Sequence, residues 1–252
     1  MDIACIADLH GHYPELEGGD LLIVAGDFCR RADSSSEQLE FISWMQNQEY
    51  KRIVFVAGNH DTWIQNVQHQ FEFLSGLTYL CDSGTEFELL EDQECNWCKT
   101  PREGSPWIKC SHTTVCPSKV SKKVKIWGSP WTKTFERMNP KCKAFTFDTD
   151  DELAEKWKLI PNDIDILITH SPPYGILDEV DSQEHCTSYH VGSRSLLKRV
   201  CEIKPKLHVF GHVHEGYGDI IAEWTNTPTA FVNASHVNEY YEPVNKPIRV
   251  IL

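Results

Sequence analysis

An α/β fold is predicted by two features of the sequence. Short apolar runs rich in β-branched residues each stop in a polar, glycine-containing turn, and segments with helical spacing lie between them. The clearest run is Arg52 to Asp61, where Ile53-Val54-Phe55-Val56 reads as a buried strand and Gly58-Asn59-His60-Asp61 follows at once. On this stretch alone two readings stay open. A polar turn accounts for Gly58, Asn59 and Asp61. A site accounts for the whole tetrad, because an amide, an imidazole and a carboxylate after a core strand are costly to bury unless each finds a partner. The same form recurs earlier: residues 2–7 (DIACIA) end in Asp8-Leu9-His10-Gly11-His12, and Asp20 to Ala25 (DLLIVA) ends in Gly26-Asp27. Between the second and third runs, Ser34 to Tyr50 offers Ser35 or Ser36 as a helix cap, with Leu39, Phe41, Ile42, Trp44 and Met45 at roughly helical spacing. Strand, helix and strand with short connections imply a parallel βαβ unit, whose ligands bind beyond the strand carboxyl ends.

The later chain continues in kind. Thr62 to Leu74 reads as a helix, and Thr78 to Cys81 and Phe87 to Leu90 as short strands around a Ser83-Gly84 turn. From Val124, VKIWGSPW gives another strand. Asp150 to Leu159 is helical, with Leu153, Ala154, Trp157 and Leu159 facing inward, and Asp165 to Thr169 is a buried strand ending in His170-Ser171-Pro172-Pro173. A helix from Ser193 to Cys201 precedes the strand Leu207 to Phe210, which ends in Gly211-His212-Val213-His214; Thr229 to Asn233 and Ile248 to Ile251 close the chain.

With 252 residues and 40% hydrophobic content, one large core suffices, so a single domain is expected. It is interrupted by an insertion from Asp92 to Lys123, which is polar and carries Cys95, Cys98, Cys110 and Cys116. Those four cysteines are compatible with a structural zinc site, and the stretch reads equally as a surface insertion. Lys119, Lys122, Lys123 and Lys125 read as a solvated face. A net charge of -13 argues against general nucleic-acid binding, which needs Lys and Arg to neutralise phosphates, but leaves room for a small phosphorylated substrate held by a metal. The first residues lack a basic leader and a signal-length apolar run, and no stretch approaches the roughly 18 apolar residues of a membrane span. A cytoplasmic protein without a membrane partner is expected, and a homodimer is compatible with the composition. Of the ten cysteines, Cys5, Cys29, Cys81, Cys142, Cys186 and Cys201 are scattered and read as small core hydrophobes or inert thiols, since disulfides are not expected in a reducing compartment. Asn233-Ala234-Ser235 matches a glycosylation sequon, which a cytosolic chain leaves without consequence.

Five strands thus end in groups able to hold a metal: Asp8 with His10, Asp27, Asn59 with His60, His170, and His212 with His214. One histidine after a strand is ordinarily a structural residue; five such ends in one sheet are not explained that way. The donors are nitrogen and oxygen with no thiol, which suits manganese or iron and also admits zinc or nickel. The set exceeds what one ion needs, and a bridging carboxylate, for which Asp27 is the candidate, would hold two ions about 3.5–4 Å apart.

In this order, D-x-H, GD, GNHD, a lone histidine after a strand, and GHVH resemble the calcineurin-like metallophosphoesterase superfamily. GDFCRR, KIWGSPW, EKWKLIP, DILITHSPPYGILD, KPKLHVFGHVHEGYG and VNASHVNEYYEPVNKPI are further similar to its metallophosphoesterase-domain-containing brain protein subfamily and microbial relatives. The resemblance covers nearly the whole chain outside the insertion. It implies a four-layer αββα sandwich and a dinuclear-metal phosphoesterase, with manganese favoured. Asp8, His10 and His214 are then ligands of one ion, Asn59, His170 and His212 of the other, and Asp27 bridges them. His60 would donate a proton to the leaving group or stabilise the transition state, with Asp61 orienting its imidazole. The resemblance favours small phosphodiesters such as cyclic nucleotides, attacked directly by hydroxide from a metal-activated water. The alternatives are a phosphomonoesterase and a weakly catalytic metal-bound scaffold. For substrate contacts, Arg30 and Arg31 are candidates because a guanidinium pairs bidentately with phosphate, and His12, Tyr174, Trp131 and His236 are candidates for the pocket wall.

Overall fold

A computed structural model describes residues 1–67, 76–92, 119–135, 139–181, 188–222 and 228–252. The first half of the chain gives strands β1 (Asp2–Ile6) and β2 (Gly19–Ala25), helix α1 (Ser35–Gln46), β3 (Tyr50–Val56), helix α2 (Thr62–Val67), β4 (Leu77–Tyr79), β5 (Ser83–Asp92) and β6 (Lys119–Ser129). The second half gives β7 (Thr132–Lys133), β8 (Thr146–Phe147), helix α3 (Asp150–Trp157), β9 (Ile166–Thr169), β10 (Glu179–Asp181), β11 (Ser188–His190), helix α4 (Arg194–Ile203), β12 (Leu207–Phe210), β13 (Gly218–Ala222), β14 (Thr229–Asn233) and β15 (Ile248–Ile251). The chain divides into two compact units, Met1–Thr85 with Lys125–Leu252, and Glu86–Val124.

Two large mixed sheets carry the first unit. One runs β15-β1-β2-β3-β4, with β1 to β4 parallel and β15 antiparallel at the edge. The other runs β13-β14-β12-β9-β6-β5, with β6, β9, β12 and β14 parallel and β13 antiparallel to β14. Strand side chains alternate between faces, so each core strand can fill two layers. On the outer face of the first sheet Ala4, Ile6, Leu22, Val24, Ile53 and Phe55 pack with Phe41, Ile42 and Met45 of α1 and Ile64 of α2. Their alternate neighbours Ile3, Cys5, Leu21, Ile23, Val54 and Val56 are equally buried on the opposite face. On the second sheet Leu167, Phe210 and Phe231 pack with Leu153 and Trp157 of α3 and Leu196, Val200 and Ile203 of α4. Helix, sheet, sheet and helix form the four layers. Gly128 of β6 marks how closely the sheets approach, because a Cβ there would stand 2.8 Å from Val56 Cγ1 and 3.0 Å from Leu80 Cδ1.

The helices begin where their caps dictate. Ser34, not Ser35 or Ser36, caps α1 by accepting the Glu37 N–H at 3.3 Å. Thr149 and Glu152 form a reciprocal capping box on α3, and Ser193 caps α4 through the Leu196 N–H at 3.0 Å. Three sequence expectations need correction. Leu39 and Leu159 are 61% and 52% exposed and not part of the core, since α1 turns Leu39 outward and Leu159 lies beyond the end of α3. Ser83-Gly84 opens β5 and is not a turn; the chain reverses at Asp82, whose φ is 45°, and Gly84 permits close approach to the Trp127 ring. The lysines from Lys119 lie on β6, which begins within the expected insertion. Cys95, Cys98, Cys110, Cys116 and Cys186, with the rest of the helix expected to reach Leu74, fall outside the described residues. No helix among the described residues is long and apolar enough to cross a membrane.

Gly128→Ala should lower stability in chemical denaturation by about 1–3 kcal/mol, the range for overpacking a filled core. An unchanged midpoint would contradict the close approach of the sheets.

Candidate metal centre

Because β1, β2 and β3 are adjacent and parallel, their carboxyl ends release Asp8 and His10, Asp27, and Asn59 and His60 at one edge. Parallel β9 and β12 release His170, and His212 and His214, from the other sheet, so the five ends expected in one sheet are shared between two. Short backbone links join these ends: Asp8 N–H donates to the Gly26 carbonyl at 2.9 Å, His10 N–H to the Asp27 carbonyl at 3.0 Å, and Gly211 N–H to the His170 carbonyl at 3.2 Å. Asp8, His10, Asp27 and His212 all adopt left-handed backbone conformations, with φ of 49°, 44°, 52° and 71°. Such conformations cost about 1–3 kcal/mol each in non-glycine residues and persist where the surroundings over-determine them. Gly58 and Gly211 are required for space, since a Cβ at either would strike Asp27 Oδ1 or Asp8 Oδ2 respectively.

The side chains converge in three overlapping groups: Asp8, His10 and His214; His10, Asp27 and His60; and Asp27, His170 and His212. Within each group the donor atoms lie within 4.8 Å of one another. His170 Nδ1 donates to the Ala25 carbonyl at 2.9 Å, which fixes the ring and turns Nε2 inward. That Nε2 lies 3.0 Å from Asn59 Oδ1, 3.2 Å from His212 Nδ1 and 3.4 Å from Asp27 Oδ2. Acceptors crowded this closely repel unless a cation or a proton stands among them. On the other side, His214 Nδ1 donates to the Asn238 carbonyl at 3.0 Å and turns Nε2 to within 3.8 Å of Asp8 Oδ1. His10 Nε2 and His60 Nε2 sit 3.9 and 4.0 Å from Asp27 Oδ2.

Burial holds the His10 imidazole well below its ordinary pKa, and burial with the neighbouring His170 depresses His212 to about 3. Both are therefore neutral lone-pair donors at pH 7. Burial would raise Asp27, but His170, His60 and His10 outweigh it and hold the carboxyl well below the usual range. Burial likewise opposes protonation of His170, yet the Asp27 carboxylate raises it to about 9. A proton at His170 thus occupies the place where a cation would satisfy the same acceptors. The clusters are compatible with a divalent metal centre, and Asp8, His10, Asp27, Asn59, His170, His212 and His214 can supply its ligands.

Around them, the structure departs from the roles read in the sequence. Asp61 is fully buried, but its carboxylate accepts the N–H groups of Gly58 at 2.8 Å, Asp27 at 2.9 Å and Cys29 at 3.3 Å. It braces the loop that carries Asp27 and does not orient His60, whose Nδ1 has no hydrogen-bond partner. Burial first, then the charge of Asp27, holds Asp61 well above the usual carboxyl range. Arg31 is committed to Glu37, with Nε 2.7 Å from Oε1, and Arg30 is exposed with its N–H on the same carboxylate. Trp131 stacks on Phe147 at 4.7 Å under Lys156 and donates to Asp82, while Tyr174 lies beneath the Arg194 guanidinium at 3.5 Å. His236 Nδ1 bonds the Asn245 carbonyl at 2.7 Å, and His12 is partly buried in the turn after Leu9.

Other residues were hidden in the sequence. Ser235 Oγ donates to Asp8 Oδ2 at 2.6 Å, and the His212 N–H donates to the same oxygen at 2.9 Å. Both donors saturate Oδ2, so Oδ1, which has no partner, is the oxygen turned to the cluster. Asn233 Oδ1 lies 2.8 Å from Ser235 Oγ, and its Nδ2 donates to the Val213 carbonyl at 2.8 Å, tying the GHVH loop to Asp8. Both residues are fully buried, so the apparent sequon is an internal polar network. Asn59 Nδ2 donates to the Cys142 carbonyl at 3.2 Å, and Tyr241 packs on His10 with ring centroids 4.8 Å apart.

The profile described as Calcineurin-like phosphoesterase matches residues 1–216. The chain belongs to that family. Metallophosphoesterase domain-containing protein 1 of Homo sapiens is 34% identical over 98% of this chain and 70% of its own length. A UPF0046 protein of Caenorhabditis elegans is 28% identical over 98% of this chain and 74% of its own. A solved structure at 12% identity superposes with a TM-score of 0.52 over 92% of this chain and 89% of its own, a likeness of fold. Ser235, Asn238 and Tyr241 lie beyond the matched span.

Ser235→Ala should weaken manganese affinity about 10- to 100-fold, the usual effect of removing a group that orients a ligand. Calorimetric titration reads this directly, and unchanged affinity would remove Ser235 from the support of Asp8.

Proposed function

We propose that this chain is a dinuclear-metal-dependent phosphodiesterase acting on small phosphodiesters such as cyclic nucleotides. The observation that carries this reading is a set of buried polar atoms without hydrogen-bond partners: Asp8 Oδ1, both ring nitrogens of His10, and His60 Nδ1. Buried polar atoms are ordinarily paired, and Asp8 and His10, each with a donor atom within 4.8 Å of those of His214, call for a ligand they can share. Asp8, His10 and His214 would hold one cation, and Asn59, His170 and His212 the other, with Asp27 between them; the nitrogen and oxygen donors suit manganese or iron and also admit zinc or nickel. When bound, divalent cations neutralise phosphoryl oxygens and make water acidic enough to serve as a nucleophile near neutral pH.

The chain's own groups then account for the remaining steps. Asn59 directs Oδ1 to the cluster and gives one amide N–H to Cys142, which leaves its second N–H for a phosphoryl oxygen. His60 is anchored through its backbone N–H on Asp27 Oδ1 at 2.8 Å, and its side chain is 15% exposed. It is placed between the interior and solvent, with Nε2 on the cluster side 4.0 Å from Asp27 Oδ2, where the imidazole can give a proton to the departing oxygen. The preference for diesters follows the resemblance drawn from the sequence.

The test is hydrolysis of bis-p-nitrophenyl phosphate, p-nitrophenyl phosphate and 2′,3′- and 3′,5′-cyclic AMP by metal-stripped protein resupplied with manganese. Diester cleavage is expected to exceed monoester cleavage, and His60→Ala to reduce kcat about 10²- to 10⁴-fold with manganese retained. Manganese-independent turnover, or none on any of these substrates, would contradict the reading.

A further inference from the structure

The tight turn from Asn238 to Glu242 lies beyond the span matched by the family, yet it reaches the centre of the site. Its construction is specific. Asn238 Oδ1 accepts the N–H groups of Tyr240 at 3.0 Å and Glu242 at 2.9 Å, and the Asn238 N–H donates to the Glu242 carbonyl at 3.0 Å. The Asn238 carbonyl accepts both the Tyr241 N–H at 2.9 Å and His214 Nδ1 at 3.0 Å, so one oxygen fixes the turn and orients a cluster histidine.

The turn forces Tyr241 into a left-handed conformation, with φ of 63°. A bulky residue with positive φ is a genuine outlier, and the inference runs from the outlier to a function. The forced conformation brings the Tyr241 ring against three site imidazoles: edge to face with His10 at 4.8 Å and His214 at 5.3 Å, and 6.3 Å from His60. Its neighbour Tyr240 remains 74% exposed. Tyr241 is itself 49% exposed, so half of the side chain faces solvent beside the groups that would hold the phosphate. Its hydroxyl makes no hydrogen bond among the described residues, which leaves ring surface as the feature the turn presents.

We propose that Tyr241 is a specificity-determining residue, the wall against which a planar aromatic substituent of the phosphoester packs when its phosphate sits at the metal centre. This rests on the metal-dependent phosphoesterase reading and assigns one residue to its substrate preference. An aromatic pair contributes about three- to tenfold in affinity beyond simple burial. The ring lies next to His60, the group assigned to the departing oxygen, so the substituent it favours is the one leaving.

The test uses two phosphonates, whose P–C bonds are not hydrolysed, with the full chain loaded with manganese. Calorimetry measures phenylphosphonate against methylphosphonate on wild type, Tyr241→Phe and Tyr241→Leu, with manganese content determined for each. Wild type and Tyr241→Phe should prefer the phenyl compound, and Tyr241→Leu should lose about three- to tenfold of that preference with manganese retained. An equal preference in all three proteins would overturn the inference, as would binding of neither phosphonate to wild type. Loss of manganese in Tyr241→Leu would overturn it too, by making the ring part of the metal framework. If wild type binds phenylphosphonate selectively but cleaves no phosphoester, the phosphodiesterase reading fails while Tyr241 keeps its assignment.

Discussion

The Asp27 carboxylate lies only 2% exposed beneath three imidazoles, with Oδ2 3.4, 3.9 and 4.0 Å from nitrogens of His170, His10 and His60. A carboxylate sealed from water must find positive charge or strong donors nearby, because an isolated buried charge is severely penalised. Oδ1 finds the His60 N–H, and the loop beneath is clamped by Asp61 across Gly58, Asp27 and Cys29. Oδ2 faces the histidines, each of which can answer it with a proton or a shared cation. The geometry of the site follows from that shared need. His170 is fixed to the Ala25 carbonyl and His214 to the Asn238 carbonyl, so each outer nitrogen is satisfied and each inner one is free to converge.

Such convergence needs two sheets. Three parallel strands in one sheet deliver Asp8, Asp27 and Asn59, and two parallel strands in the other deliver His170 and His212. Neither sheet holds the complete set. The close approach at Gly128 lets the two edges meet, and the helices on the outer faces keep that approach from exposing apolar surface. Left-handed conformations at Asp8, His10, Asp27 and His212 concentrate at this meeting point. They are sustained by the strands behind them, which places the strain where ligands must turn sharply out of a strand.

Much of this was legible because the strands write a local pattern. Apolar runs before Asp8, Asp27, Asn59, His170 and His212 announced both the core and the common strand end, and the histidines and carboxylates supplied the chemistry. What escaped was fixed by distant neighbours. Nothing local distinguishes Asp61 as a backbone acceptor from a partner of His60, and Arg31 is taken by Glu37 because a helix cap brings that carboxylate back across the turn. Ser235 bonds a residue 227 positions earlier, so no spacing rule could connect it with Asp8, and the surface meaning of its sequon pattern concealed its buried role. Tyr241 is distinguished only by a backbone angle. The short strands β7, β8, β10, β11 and β13 also escaped, because segments of two to five residues leave little periodicity to read.

The central claim is that Asp27 joins two cations in one buried cluster, and electron paramagnetic resonance of the manganese-titrated chain tests it most directly. If the claim holds, the spectrum at two equivalents is that of an exchange-coupled manganese pair, which Asp27→Ala abolishes while the protein remains folded. Isolated, uncoupled manganese at every loading, or a coupled pair that survives Asp27→Ala, would contradict it.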